Sequence, residues 1–161
     1  MSISKIYMST LKSKNRIDQT LLAEIHAALK AQSDSTYHAS QQSFFKEGIT
    51  LYGVRVGAVR KLANQYFRQV KQLEKKAILQ ICEELLQAHL QETAFIAYQW
   101  VGKILPQLTP ADFKIFERWL KKYVRNWAQA DDLCTGPLGQ FLLNYPKLVP
   151  KIRVWRTSKN R

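Results

Sequence analysis

The sequence predicts an all-α fold. Apolar residues recur every three or four positions along most of the chain, and the periodic stretches, each about 10 to 16 residues, are separated by short polar breaks; alternating strand patterning is absent. With 161 residues, 46% of them hydrophobic, the chain is long enough to bury a core and too apolar to be a disordered tail. It reads as one helical domain over residues 1–161, with a basic lead over 1–17.

Asp18 is placed to cap a first helix from Gln19 to Ala31, whose inward stripe is Leu21, Leu22, Ile25, Ala28 and Leu29. Ser33 to Thr36 reads as a loop and then a cap, followed by a short helix carrying Phe44 and Phe45 toward Gly48. Residues 49–55 read as a connector turning at Gly53, with a strand as the alternative for its first residues. Helical spacing then resumes at Val56, Val59, Leu62, Ala63, Tyr66 and Phe67. It continues from Gln72 to Ala88, where Cys82 falls on the apolar stripe, and from Glu92 to Ile104, with Pro106 closing that helix. Thr109-Pro110-Ala111-Asp112 starts the next: a hydroxyl cap, proline at the first helical position and an acid at the third. Beyond it, Pro137 predicts a kink or restart, because proline removes a backbone donor inside a helix. A last helix is expected from Lys147 to Trp155, then a loop over 157–160. Successive pairs of such helices predict antiparallel helix pairs stacked as a HEAT-like α-solenoid, with a plain helical bundle as the alternative.

The net charge of +13 points to a polyanionic partner, nucleic acid first. The charge is clustered. Leu133 to Arg161 holds six basic residues and no acid, and Arg55 to Lys76 holds seven basic residues against Glu74. Two separated clusters suit a groove that tracks phosphates. The two cysteines form no CxxC and no metal-ligand cluster, so neither metal nor other cofactor is expected, and a reducing compartment is the default. No apolar run approaches the roughly 18 residues that span a bilayer. A phosphate-binding glycine loop and a GxSxG nucleophile elbow are absent, and His26, His38 and His89 stand apart from one another. Nucleotide, zinc and classical nucleophilic chemistry are therefore unsupported.

The stretch that invites chemistry runs from Trp119 to Pro146. It places Trp127 four residues before Asp131, with Asp132 and Cys134 following. On a helix, positions four apart share a face, and an indole beside a carboxylate receives a cation, especially a flat aromatic one. Spacing alone favours simpler roles, in which Asp131 or Asp132 caps a helix and Trp127 is core. Of the two acids, Asp131 fits the four-residue step, leaving Asp132 as a solvated or capping residue.

Three segments, SFFKEGITLYGVRVGAVRKLANQYF, ETAFIAYQWVGKI and VRNWAQADDLCTGPLGQFLLNYPKL, resemble the DNA alkylation repair family of AlkD-like glycosylases, helical HEAT-like proteins. The resemblance covers most of the chain from Ser43 onward. It implies hydrolysis of the N-glycosidic bond of cationic N3- and N7-alkylated purines in double-stranded DNA by a cytoplasmic monomer that needs no membrane and no metal. Carried over by position, Trp127 packs on the cationic nucleotide and Asp131 stabilises the oxocarbenium-like sugar and orients the attacking water. Phe44 stands where family members carry a tyrosine, keeping the stacking surface without the hydroxyl. Arg125, Lys151, Arg153, Arg156, Lys159 and Arg161 are the expected contacts to the DNA backbone. The family's following motif, a Trp with an Arg pair, is expected soon after Asn160, so the chain is expected to cover the N-terminal part of a longer domain. Two other classes compete: a non-catalytic nucleic-acid-binding solenoid with a structural Trp127, and a protein-interaction scaffold with basic residues scattered over its surface.

Overall fold

The computed structural model describes residues 19–46 and 48–157. Among them every regular element is helical: α1 (19–31), α2 (Ser35–Phe44), α3 (Val56–Val70), α4 (Lys75–Gln87), α5 (Gln91–Lys103), α6 (Phe113–Lys122), α7 (Trp127–Leu133), α8 (Gly139–Asn144) and α9 (Val149–Ile152). The all-α expectation holds. Asp18, the expected cap of α1, lies outside the described residues.

Helices α3, α5 and α7 lie side by side, since α5 packs against both of the others. The most extensive packing joins α4 to α5 across the three-residue link 88–90, which makes them an antiparallel hairpin. On the far side, α4 is bridged to α6 by Arg118 with Glu83, and Lys75 of α4 pairs with Asp112, in the turn leading into α6, at 2.9 Å. The Tyr123 hydroxyl also donates to Glu83, at 2.9 Å. Two stacked layers result, α3–α5–α7 and α4–α6, as a helical solenoid requires. Between them Ile78, Ile81, Cys82, Leu85, Trp100, Val101, Phe116 and Trp119 are fully excluded from solvent or nearly so. The Trp100 indole N–H donates to the Ala63 carbonyl at 2.8 Å, so its polar edge is satisfied within the core. Cys82 is a core residue, and burial pushes its thiol pKa up.

Local signals explain the helix ends. Asp34 caps α2 by accepting the Tyr37 N–H at 2.9 Å. Asp112 closes the capping box before α6, accepting from the Thr109 N–H at 2.7 Å and the Thr109 hydroxyl at 3.0 Å. Pro137 sits in a π-type turn, Cys134–Leu138, in which Gly136 leaves helical geometry at φ −88°, ψ −114°. The expected kink is there. Gly139 follows because a Cβ at that position would stand 2.7 Å from the Cys134 carbonyl oxygen. The last expected helix is instead broken into a 3₁₀ turn at Pro146–Leu148, the short α9 and a second 3₁₀ turn at Arg153–Thr157. Pro146 and Pro150 lack the donors that one continuous helix would need.

The connector 49–55 is irregular, without a strand. It is held by the start of α5: the Gln91 N–H donates to the Thr50 carbonyl at 2.9 Å. Gly53 turns it at φ +86°, where a Cβ would meet His38 Cβ at 2.7 Å and the Asp34 carbonyl at 2.9 Å. Among the described residues no helix is long and apolar enough to cross a membrane.

Candidate functional site

Helix α7 begins at Trp127 because Asn126 caps it. The Asn126 side-chain oxygen accepts the Gln129 N–H at 2.9 Å, while the Gln129 side-chain oxygen accepts the Arg125 N–H at 2.8 Å. The Asn126 amide also donates to Gln91 at 3.2 Å, which ties the cap to α5. Neither Asp131 nor Asp132 is a cap. Both sit near the end of α7, and the capping role belongs to a residue the sequence reading did not single out, although Asn-x-x-Gln is a recognisable start signal.

Trp127 is not core either, being 52% exposed. Its ring stacks on buried Phe45, with centroids 5.2 Å apart and planes 14° apart. Phe44, 64% exposed, meets it edge-on at 5.8 Å. These rings rim a cavity of about 340 Å³ between α2, α3, α5 and α7. Phe45, Ile49 and Leu51 form a small apolar cluster in its wall, with Ala128 packed against them. Large solvent-facing aromatics beside a cavity are unusual in a structural role, since such area is normally covered.

Of the two neighbouring acids Asp132 lines that cavity, and Asp131 is exposed outside it. The inner face of α7 is set by buried Gln129 and Leu133. At about 100° per residue, Asp132 follows Gln129 by three positions and lies beside that face, whereas Asp131 projects nearly opposite. Trp127 is the first helical residue and folds over the helix end onto Phe44 and Phe45, so the four-residue step does not bring Asp131 into this cavity. Burial, followed by repulsion from Asp131, raises the Asp132 pKa, and the Arg60 guanidinium partly offsets this. Arg60 lines the same cavity and stands 5.8 Å from the Phe95 ring.

A second cavity of about 380 Å³ is lined by Tyr98, Gln99, Lys103, Gly136, Pro137 and Gln140 among others. Asp132 is common to the walls of both cavities.

Glu92 is the other acid of the site, and no sequence motif marks its role. It is 3% exposed and lines the aromatic cavity. One of its oxygens accepts the backbone N–H groups of Tyr52 at 3.0 Å, Gly53 at 2.9 Å and Val54 at 3.0 Å. The carboxylate thereby holds the connector against α5 and fixes one wall of the cavity.

The expected phosphate contacts fall elsewhere. Arg125 is exposed just before α7. Lys151 stands 5.9 Å from the Phe113 ring at the start of α6, where Phe113 stacks on Trp155 at 5.8 Å. Arg153 and Arg156 are exposed on the last turn, and none of these four lines either cavity. Lys159 and Arg161 lie outside the described residues. Among the described residues, no group of three or more His, Cys, Asp or Glu side chains is arranged to hold a metal ion.

A family model described as DNA alkylation repair enzyme matches residues 25–161, a span that includes every element lining the two cavities. No curated protein and no solved structure matches the chain.

Proposed function

The chain belongs to the DNA alkylation repair enzyme family and has a DNA repair role, and on that premise we propose that it is a glycosylase for cationic N3- or N7-alkylated purines in duplex DNA. The observation that carries the reading is the shared cavity of Phe44, Trp127 and Asp132. The exposed rings offer π faces to a flat cation, an attraction of about 0.5–2 kcal/mol that a neutral base does not receive to the same degree. Selection for the damaged base follows from its charge.

The same charge sets the chemistry. A cationic purine leaves with the glycosidic electron pair and becomes neutral, so the reaction needs no strong general acid. What must be stabilised is the positive charge that develops at C1′. Asp132 supplies the carboxylate facing the rings, and its partial burial strengthens that interaction relative to water. Arg60, which lines the cavity, and Arg125, exposed just before α7, serve the flanking phosphates. Phe44 contributes stacking and, lacking a hydroxyl, no hydrogen bond. Asp131, exposed beside Asp132, is the competing carboxylate.

The test is release of 7-methylguanine from methylated duplex DNA, with undamaged duplex as the control. Release from the methylated strand only, reduced at least tenfold in Trp127→Ala, is the expected result. Salt-sensitive binding to both duplexes with no base released would replace this reading with that of a non-catalytic DNA-binding solenoid.

A further inference from the structure

The α2 wall of the aromatic cavity holds an amide without a partner. Tyr37, Gln41 and Phe44 stand four and three positions apart on α2, so they share one face, and all three line the cavity. Gln41 is half-buried, and among the described residues its carboxamide has no hydrogen-bond partner. The neighbouring polar groups are occupied or charged. The Glu92 oxygens accept the connector N–H groups, Gln91 accepts from the Asn126 amide, and Arg60 and Asp132 are ionic. The Tyr37 hydroxyl is a single oxygen, on a ring that carries the Arg55 guanidinium at 5.2 Å. Among the described residues of this cavity, only Gln41 presents a free donor and a free acceptor side by side.

We propose that Gln41 reads the edge of the bound purine and sets which cationic bases the site accepts. The proposal rests on the glycosylase reading, in which the rings of Phe44 and Trp127 receive the base. Gln41 stands nearly one turn before Phe44, about 5 Å along the helix axis, so a base stacked on Phe44 brings an edge alongside it. Ring contacts select for flatness and positive charge. Every alkylated cationic base has both, so the rings do not tell one from another. An edge does. On N7-alkylated guanine the O6 acceptor stands beside the N1–H donor, and on N3-alkylated adenine the N6–H donor stands beside the N1 acceptor. The two patterns are reversed, and rotating the carboxamide by half a turn exchanges its own donor and acceptor. One side chain thus serves both purines with two hydrogen bonds each. Cationic bases alkylated at N1 of adenine or N3 of cytosine carry the alkyl group on that same edge and lose one of the two bonds.

The experiment compares Gln41→Glu and Gln41→Ala with the unaltered chain on methylated duplex, which supplies 7-methylguanine and 3-methyladenine together. Both released bases are measured in the same reaction. α2 buries no residue, so these substitutions leave the fold in place. A carboxylate only accepts: it pairs with the adjacent N1–H and N2–H donors of guanine but faces the N1 lone pair of adenine. Release of 7-methylguanine relative to 3-methyladenine should therefore rise on the order of tenfold in Gln41→Glu. The added charge attracts both cationic bases alike and cancels from the ratio. Gln41→Ala should slow both releases about fivefold to tenfold and keep the ratio within about threefold. A ratio unchanged in Gln41→Glu, with both bases still released, overturns the role of Gln41 and leaves the glycosylase reading intact. No release by the unaltered chain overturns that reading, and Gln41 is then judged by binding. Preference for a duplex holding a single 7-methylguanine over the same duplex unmethylated should fall about threefold or more in Gln41→Ala. A preference that is absent or unchanged overturns the proposal as well.

Discussion

Replacing Glu92 should loosen the connector and destabilise the whole chain. Its carboxylate receives three successive backbone N–H groups, of which Gly53 and Val54 are buried and Tyr52 half-buried. Glu92→Ala leaves these donors facing a void. Each buried donor without an acceptor costs about 1–3 kcal/mol. The two buried ones thus account for about 2–6 kcal/mol, and water entering from the adjoining cavity reduces that toward the lower half of the range, about 3 kcal/mol. Glu92→Gln is milder. Its oxygen can keep the bonds made by the first carboxylate oxygen, but its amide then faces the Tyr52 N–H, which lies 3.1 Å from the second. Charge-assisted bonds also become neutral ones, so about 1–2 kcal/mol is expected. Urea unfolding followed by circular dichroism reads both values by linear extrapolation. A loss for Glu92→Ala below about 1 kcal/mol would refute the argument that this carboxylate organises the connector.

Phe44→Ala should leave stability within about 1 kcal/mol because the ring is mostly exposed; affinity for methylated duplex should fall about threefold to tenfold, as measured by fluorescence anisotropy. Asp132→Asn should stabilise the fold at neutral pH. The folded-state pKa of Asp132 is raised above the ordinary 3.8, so between those two values the native state holds more protons and stability falls as pH rises, a deficit that persists above them. The variant's advantage should therefore vanish below about pH 3.8 and grow as Asp132 ionises, which thermal melts across pH will show. Gly53→Ala combines a positive φ with contacts under 3 Å, and its melting temperature should drop by an amount corresponding to more than about 1 kcal/mol. Arg60→Ala should reduce the slope of log affinity against log salt by about one if Arg60 meets a phosphate.

The helices were readable because their apolar periodicity and their caps agree. The Thr109–Asp112 box and the Pro137 kink each rest on residues adjacent in sequence. The site was readable only in part. Phe44 and Trp127 meet as ring partners although they stand far apart in the chain, and the family resemblance was what singled both out. The choice between Asp131 and Asp132 depends on which side of α7 docks on α5, a tertiary fact that the step from Trp127 does not encode. Glu92 looked like an ordinary first-turn acid, whose placement at a helix N-terminus needs no further explanation. Its partners lie 38 to 40 residues earlier in the chain.

The central claim is that the carboxylate facing the aromatic rings performs the chemistry. Its most direct test is 7-methylguanine release by Asp131→Asn and Asp132→Asn, measured side by side with the unaltered chain on methylated duplex. Loss of release in Asp132→Asn, with Asp131→Asn retaining most of it, is the predicted result. Loss in Asp131→Asn with Asp132→Asn still active would contradict it.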